Sequence, residues 1–218
     1  MINVIFKKCI FENHFIIMSK SPSQTLILLS SILSTALNPL FSLLFFFGFY
    51  AYEKMESAAA LKNLFWMMLL VVIPIFGWIS WNVKTGRYTN MDVSDRKQRN
   101  SLYLFNFTTM AVYITFLHFT NQNFDFILIN IFLLILMMTM HFSNFFIKSS
   151  MHTAFNVFVS VLFFNLNPYF GLGWLILTAL LGFSRVILKR HTIKEVIMGT
   201  TIAAIVSIVY LYFYIQNQ

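Results

Sequence analysis

Three polar stretches interrupt an otherwise apolar chain of 218 residues, and together they hold side chains suited to one kind of chemistry. Residues 82–101 carry Arg96 and Arg99, residues 143–152 carry Ser150 and His152, and residues 184–195 carry Arg185, His191 and Glu195. Arginine forks match the oxygens of a phosphate and stay charged at any working pH. Arg96 and Arg99 are three apart, so a helix there points both the same way. His191 and Glu195 are four apart, the spacing at which a helix start brings a carboxylate to an imidazole. A carboxylate on one ring nitrogen fixes the tautomer and raises the basicity of the other. That prepares a histidine as a nucleophile, and the second histidine, His152, is then available to protonate a leaving oxygen.

The elements that must position these groups are apolar runs. Hydrophobic residues make up 59% of the chain and charged residues 10%, against about 45–50% and 25% in soluble domains. That fraction is about 129 residues, enough for six or seven membrane spans of roughly 20 residues. The runs cover about 25–51 (bent at Pro39), 61–81, 102–119, 124–141, 153–164, 169–183 and 196–214. Helices are expected, because lipid-facing backbone must satisfy its own hydrogen bonds; a membrane barrel would alternate in segments of about ten residues. The fold class is therefore an all-α polytopic bundle of six or seven spans. Residues 1–24 read as an interfacial or disordered segment, and 25–218 as the membrane domain, with its chemistry in 82–218. Met18-Ser19-Lys20 leads straight into the first run and reads as an alternative start. Ser34-Thr35-Ala36 faintly resembles a cleavage site, but the run continues past it and is read as a retained span.

Parity makes the charges informative. Two runs separate the first polar stretch from the second, and two more separate the second from the third, so all three lie on one face and can converge. Of 22 charged residues, 12 fall in 82–101 and 184–195. The net charge of +8 therefore marks loops or an anionic ligand rather than nucleic acid. The single cysteine, Cys9, excludes an internal disulfide and a cysteine-rich zinc site; no metal or cofactor is expected. Lys148 reads as a headgroup contact or a substitute phosphate cation, Lys189 and Arg190 as positive-inside or headgroup cations, Asp92 and Asp95 as partners of nearby cations, and His118 and His141 as structural.

Residues 184–195, SRVILKRHTIKE, resemble the third signature of the type 2 phosphatidic acid phosphatase (PAP2) superfamily, S-R-x5-H-x3-D. Ser150-Met151-His152 resembles the second, P-S-G-H, and residues 95–99 fall where the first, K-x6-R-P, is expected. The resemblance covers about residue 82 to the C-terminus. It implies an integral membrane, metal-independent phosphatase acting on a lipid phosphate or pyrophosphate through a phosphohistidine. His191 is then the nucleophile, Glu195 its orienter and His152 the general acid, while Arg99, Arg185 and Ser150 hold phosphate. The chain departs from the pattern at five places. Asp92 stands where the first-motif lysine belongs, with Arg96 expected to supply the missing cation. Asn100 and Ser149 replace prolines, Met151 a glycine and Glu195 an aspartate. Two alternatives remain: a lipid phosphotransferase using the same site, and a non-catalytic membrane protein that binds anionic lipid or moves a phosphorylated solute. The implied partners are the lipid substrate and membrane lipids. The expected location is a bacterial inner membrane, and the bias of cations toward the face of the polar stretches favours a cytoplasmic site.

Overall fold

The computed structural model describes residues 22–120 and 122–217. The expected N-terminal segment lies almost wholly outside them. Among the described residues, eight helices follow one another: α1 (Gln24–Ala36), α2 (Pro39–Lys54), α3 (Ser57–Lys84), α4 (Gln98–Phe119), α5 (Phe124–Ser143), α6 (Met151–Leu166), α7 (Pro168–Ile187) and α8 (Ile193–Gln216). No strand occurs among the described residues.

Local sequence explains where these helices start. Asn38 caps α2 by accepting from the Leu40 N–H, and Pro39 takes the first helical position, where its missing N–H costs nothing. Asn167 and Pro168 repeat the device at α7. The first apolar run thus breaks at the expected bend into two helices meeting at 52°. In α3, Pro74 would clash with the carbonyl four residues back. The helix widens into a π-turn at Met68–Val72 just before it, which absorbs the mismatch.

Among the described residues, five helices (α3, α4, α5, α7 and α8) are long and apolar enough to cross a membrane, or six when the bent α1–α2 pair is counted as one span. This is an all-helical membrane bundle at the lower end of the expected span count. The difference is α6: its 16 residues rise only about 24 Å, short of a hydrocarbon core of about 30 Å. It is instead the hub. Eleven of its 16 residues are buried, and it packs against α2, α7 and α8.

Asn156 sits fully buried at the centre of this hub. Its carbonyl oxygen accepts from Ser42 Oγ at 2.9 Å and from Trp174 Nε1 at 3.0 Å. Its amide donates to the Leu37 carbonyl at 2.9 Å and the His152 carbonyl at 2.8 Å. One side chain therefore ties the α1–α2 break and α7 to the first turn of α6. Around it, aromatic rings interlock: Phe46 meets Phe163 edge-on at 5.2 Å, and Phe158 meets Tyr210 at 5.5 Å. Large apolar side chains such as Leu61, Phe65, Phe142, Phe183 and Ile208 face outward, as lipid contact requires.

Candidate active site

Glu195 reaches His191 through the start of α8. Thr192 is the N-cap: its hydroxyl accepts from the Glu195 N–H, and the Glu195 carboxylate accepts from the Thr192 N–H, a reciprocal capping box. That box aims Glu195 Oε2 back at His191 Nδ1, 2.8 Å away. The carboxylate fixes the proton on Nδ1 and leaves the lone pair on Nε2. Burial is the largest influence on His191, followed by the cations Arg99, Arg185 and Lys148, and together they push its pKa down to about 2. The imidazole is therefore neutral.

Arg99 faces that lone pair, with Nη2 3.4 Å from His191 Nε2. Its other nitrogens are anchored on main-chain carbonyls, Nε on Val93 and Nη1 on Ser149, both at 3.0 Å. The guanidinium is thus held rigidly between the first and second polar stretches.

Ser150 caps α6, accepting from the Thr153 N–H and hydroxyl. Its own N–H donates to the Glu195 carbonyl at 3.0 Å, which joins the second stretch to the third. Gly199, one turn further along α8, makes this approach possible. A Cβ there would lie 2.6 Å from the Ser150 carbonyl oxygen, so only glycine lets the two helix starts touch.

His152, in the first turn of α6, meets an unexpected partner. Its Nε2 lies 3.4 Å from Asp92 Oδ1, while Asp92 Oδ2 accepts from Arg185 Nη2 at 2.6 Å. Arg185 Nη1 donates to Ser34 Oγ at 2.9 Å, bringing the end of α1 against the end of α7. Burial alone would raise the Asp92 carboxyl, but the imidazole of His152 and the guanidinium of Arg185 outweigh it and hold the group below its usual range. Asp92 does pair with a cation, as the composition of its loop suggested. That cation lies 93 positions away in sequence, and sequence alone gave no sign of either that contact or the one to Ser34.

The three polar stretches therefore do converge, and His191, Glu195, Arg99, Ser150, His152 and Arg185 gather at one end of the bundle. Arg96 does not join them. Asp95 accepts from the Lys97 and Gln98 N–H groups, so α4 starts at Gln98 and Arg96 lies in the preceding turn. The i, i+3 alignment with Arg99 consequently never forms, and Arg96 is exposed with its Nε on the Asn144 carbonyl. An open groove of about 680 Å³ leads away from His191 and Glu195, lined by Lys148, Lys189, Arg190 and Lys194. Among the described residues, no three His, Cys, Asp or Glu side chains gather as metal ligands.

Residues 138–218 match the PAP2 superfamily. The matched segment contains Ser150, His152, Arg185, His191 and Glu195 and is consistent with a PAP2 family member, a phosphatase-type superfamily. The PAP2 match begins after Asp92, Arg96 and Arg99, so it covers the second and third motifs and leaves out the segment of the first. No curated protein and no solved structure matches the chain.

Proposed function

We propose that this membrane protein is a phosphatase that hydrolyses a lipid phosphate or pyrophosphate through a phosphohistidine on His191. The observation that carries the reading is the relay from Glu195 Oε2 to His191 Nδ1 at 2.8 Å, with Arg99 Nη2 at 3.4 Å from the opposite ring nitrogen. A nucleophile with a fixed tautomer faces a cation positioned for the oxygens of the group it attacks.

The chemistry follows from that layout. The Nε2 lone pair forms a bond to phosphorus while the bond from phosphorus to the leaving oxygen breaks. His152 gives that oxygen its proton, and Glu195 stabilises the charge that develops on the His191 ring. Water then attacks phosphorus, His152 takes the proton back, and the P–N electron pair returns to Nε2. Arg99, Arg185 and the N-terminus of α6 at Ser150 stabilise the phosphoryl oxygens. The cation-lined groove suits an anionic headgroup entering from the interface, with its tail left in lipid. The excess of cations on this face supports a cytoplasmic site.

One observation favours the non-catalytic alternative: Asp92 puts a carboxylate on Arg185, which weakens the phosphate grip. Phosphate release from a panel of lipid phosphates by purified protein tests the reading. Turnover lost in His191→Ala supports it. Lipid binding without turnover in the unmodified protein, unaffected by His191→Ala, supports the alternative.

A further inference from the structure

Among the described residues, Asp92 is the one acidic side chain that touches both Arg185 and His152, and nothing in the reaction described above uses it. We propose that Asp92 is the resting occupant of the phosphate seat, an internal carboxylate carried on a displaceable loop that an incoming phosphate must dislodge. The proposal rests on the reading of this site as a phosphate site.

Geometry supports it first. One carboxylate oxygen takes Arg185 Nη2 at 2.6 Å and the other faces His152 Nε2 at 3.4 Å. Asp92 thus bridges a cation and the imidazole, the two groups that a phosphoryl group and its leaving oxygen have to meet. The fit is incomplete: Arg185 Nε is buried without an acceptor in the protein, whereas a phosphate offers oxygens enough for a two-pronged contact. A phosphate dianion and the Asp92 carboxylate cannot share one guanidinium without facing each other as like charges.

The backbone supports it independently. Asp92 lies in the segment between α3 and α4, which has no regular secondary structure. The next residue, Val93, has φ +44° although it is β-branched and almost fully buried. A branched side chain in the left-handed region is strained and persists only where surrounding contacts impose it. Val93 packs in the hydrophobic core, and Asn90 Oδ1 accepts from the Asp92 and Ser94 N–H groups on either side of it. Val93 N–H donates to the Asn90 carbonyl, Arg99 Nε reaches the Val93 carbonyl, and Arg190 holds Ser94 Oγ from 3.3 Å.

The test uses the purified full chain in detergent with inorganic phosphate as the probe. Two readouts are taken on the wild-type protein and on Asp92→Asn: phosphate affinity by calorimetry, and amide hydrogen exchange in the peptide spanning residues 88–97. Asp92→Asn is expected to bind phosphate at least about tenfold more tightly, because the competing charge is gone. Saturating phosphate is expected to speed exchange in 88–97 of the wild type, because the loop has been released. Equal affinities, or exchange that is slowed or unchanged by phosphate, overturn the cap and leave the phosphate site standing. Folded proteins of both kinds that bind no phosphate overturn the phosphate site and the cap together. The exchange readout on the wild type decides the matter even if Asp92→Asn does not fold.

Discussion

Replacing Glu195 by glutamine changes one charge and almost nothing else. A single oxygen, Oε2, accepts from both His191 Nδ1 at 2.8 Å and the Thr192 N–H at 3.1 Å. The amide oxygen of glutamine can accept both, and glutamine is an accepted partner in a capping box, so α8 should start where it does now. What is lost is the anion beside a ring that becomes positively charged as His191 bonds to phosphorus. Two unit charges about 4 Å apart at an effective dielectric of about 20 attract by about 4 kcal/mol. The neutral hydrogen bond that remains returns about 1 kcal/mol. A net loss of about 2–3 kcal/mol in the transition state corresponds to a kcat about 30–150-fold lower. Initial rates of phosphate release at saturating substrate measure this, with thermal unfolding in detergent as the control for folding. A Glu195→Gln protein that keeps its melting midpoint and stays within about threefold of wild-type kcat would refute the orienting role.

Other perturbations reach the supports of the site. Gly199→Ala sets a methyl against the Ser150 carbonyl and should cost about 1–3 kcal/mol, seen as a lower melting midpoint together with reduced turnover. Asn156→Ala removes all four bonds of the buried hub and leaves Trp174 Nε1 and Ser42 Oγ without their acceptor. It should destabilise the protein by at least about 2 kcal/mol, read from denaturation in mixed micelles. The pH dependence follows from His191. Its pKa in the folded protein is lowered to about 2, so its neutral form contributes stability above the unfolded value of about 6.5, and that contribution is lost as pH falls below it. The proposed nucleophile remains neutral, so kcat should show no acid limb near 6.5 that moves with His191. A pH–rate profile between pH 5 and 8 checks this.

Much of this architecture was legible in the residues. Seven apolar runs anticipate the eight described helices, with the first run breaking into two at Pro39, and the 191–195 spacing places the carboxylate on the imidazole. The physical basis of that spacing, a Thr-x-x-Glu capping box, was also written in residues 192–195, and the fuller reading of it would have fixed the start of α8. The run count treated the short α6 as a full crossing; the three polar stretches nevertheless meet at one end of the bundle, through Arg99 on His191 and on the Ser149 carbonyl and through the Ser150 N–H on the Glu195 carbonyl. Other features were not legible. Asp92 carries no local signal for its role, because its partners lie in α6 and α7 and depend on how the irregular 85–97 segment folds back. Arg96 misled because a three-residue spacing has meaning only inside a helix, and α4 begins two residues later at Gln98. The seat of Arg185 on Ser34 depends on the α1–α2 bend, whose presence Pro39 announces but whose direction it does not. The short α6 counted as a span by its apolar content, whereas its burial comes from other helices rather than from lipid.

The central claim is that His191 carries the phosphoryl group, and trapping that adduct tests it most directly. Purified protein is mixed with a radiolabelled lipid phosphate, quenched in base within the first turnover, digested and mapped by mass spectrometry. The account predicts an acid-labile, base-stable phosphoryl group on His191, absent from His191→Ala, with that variant unable to turn over. Sustained turnover with no label on His191, or with the label on another residue, would contradict it.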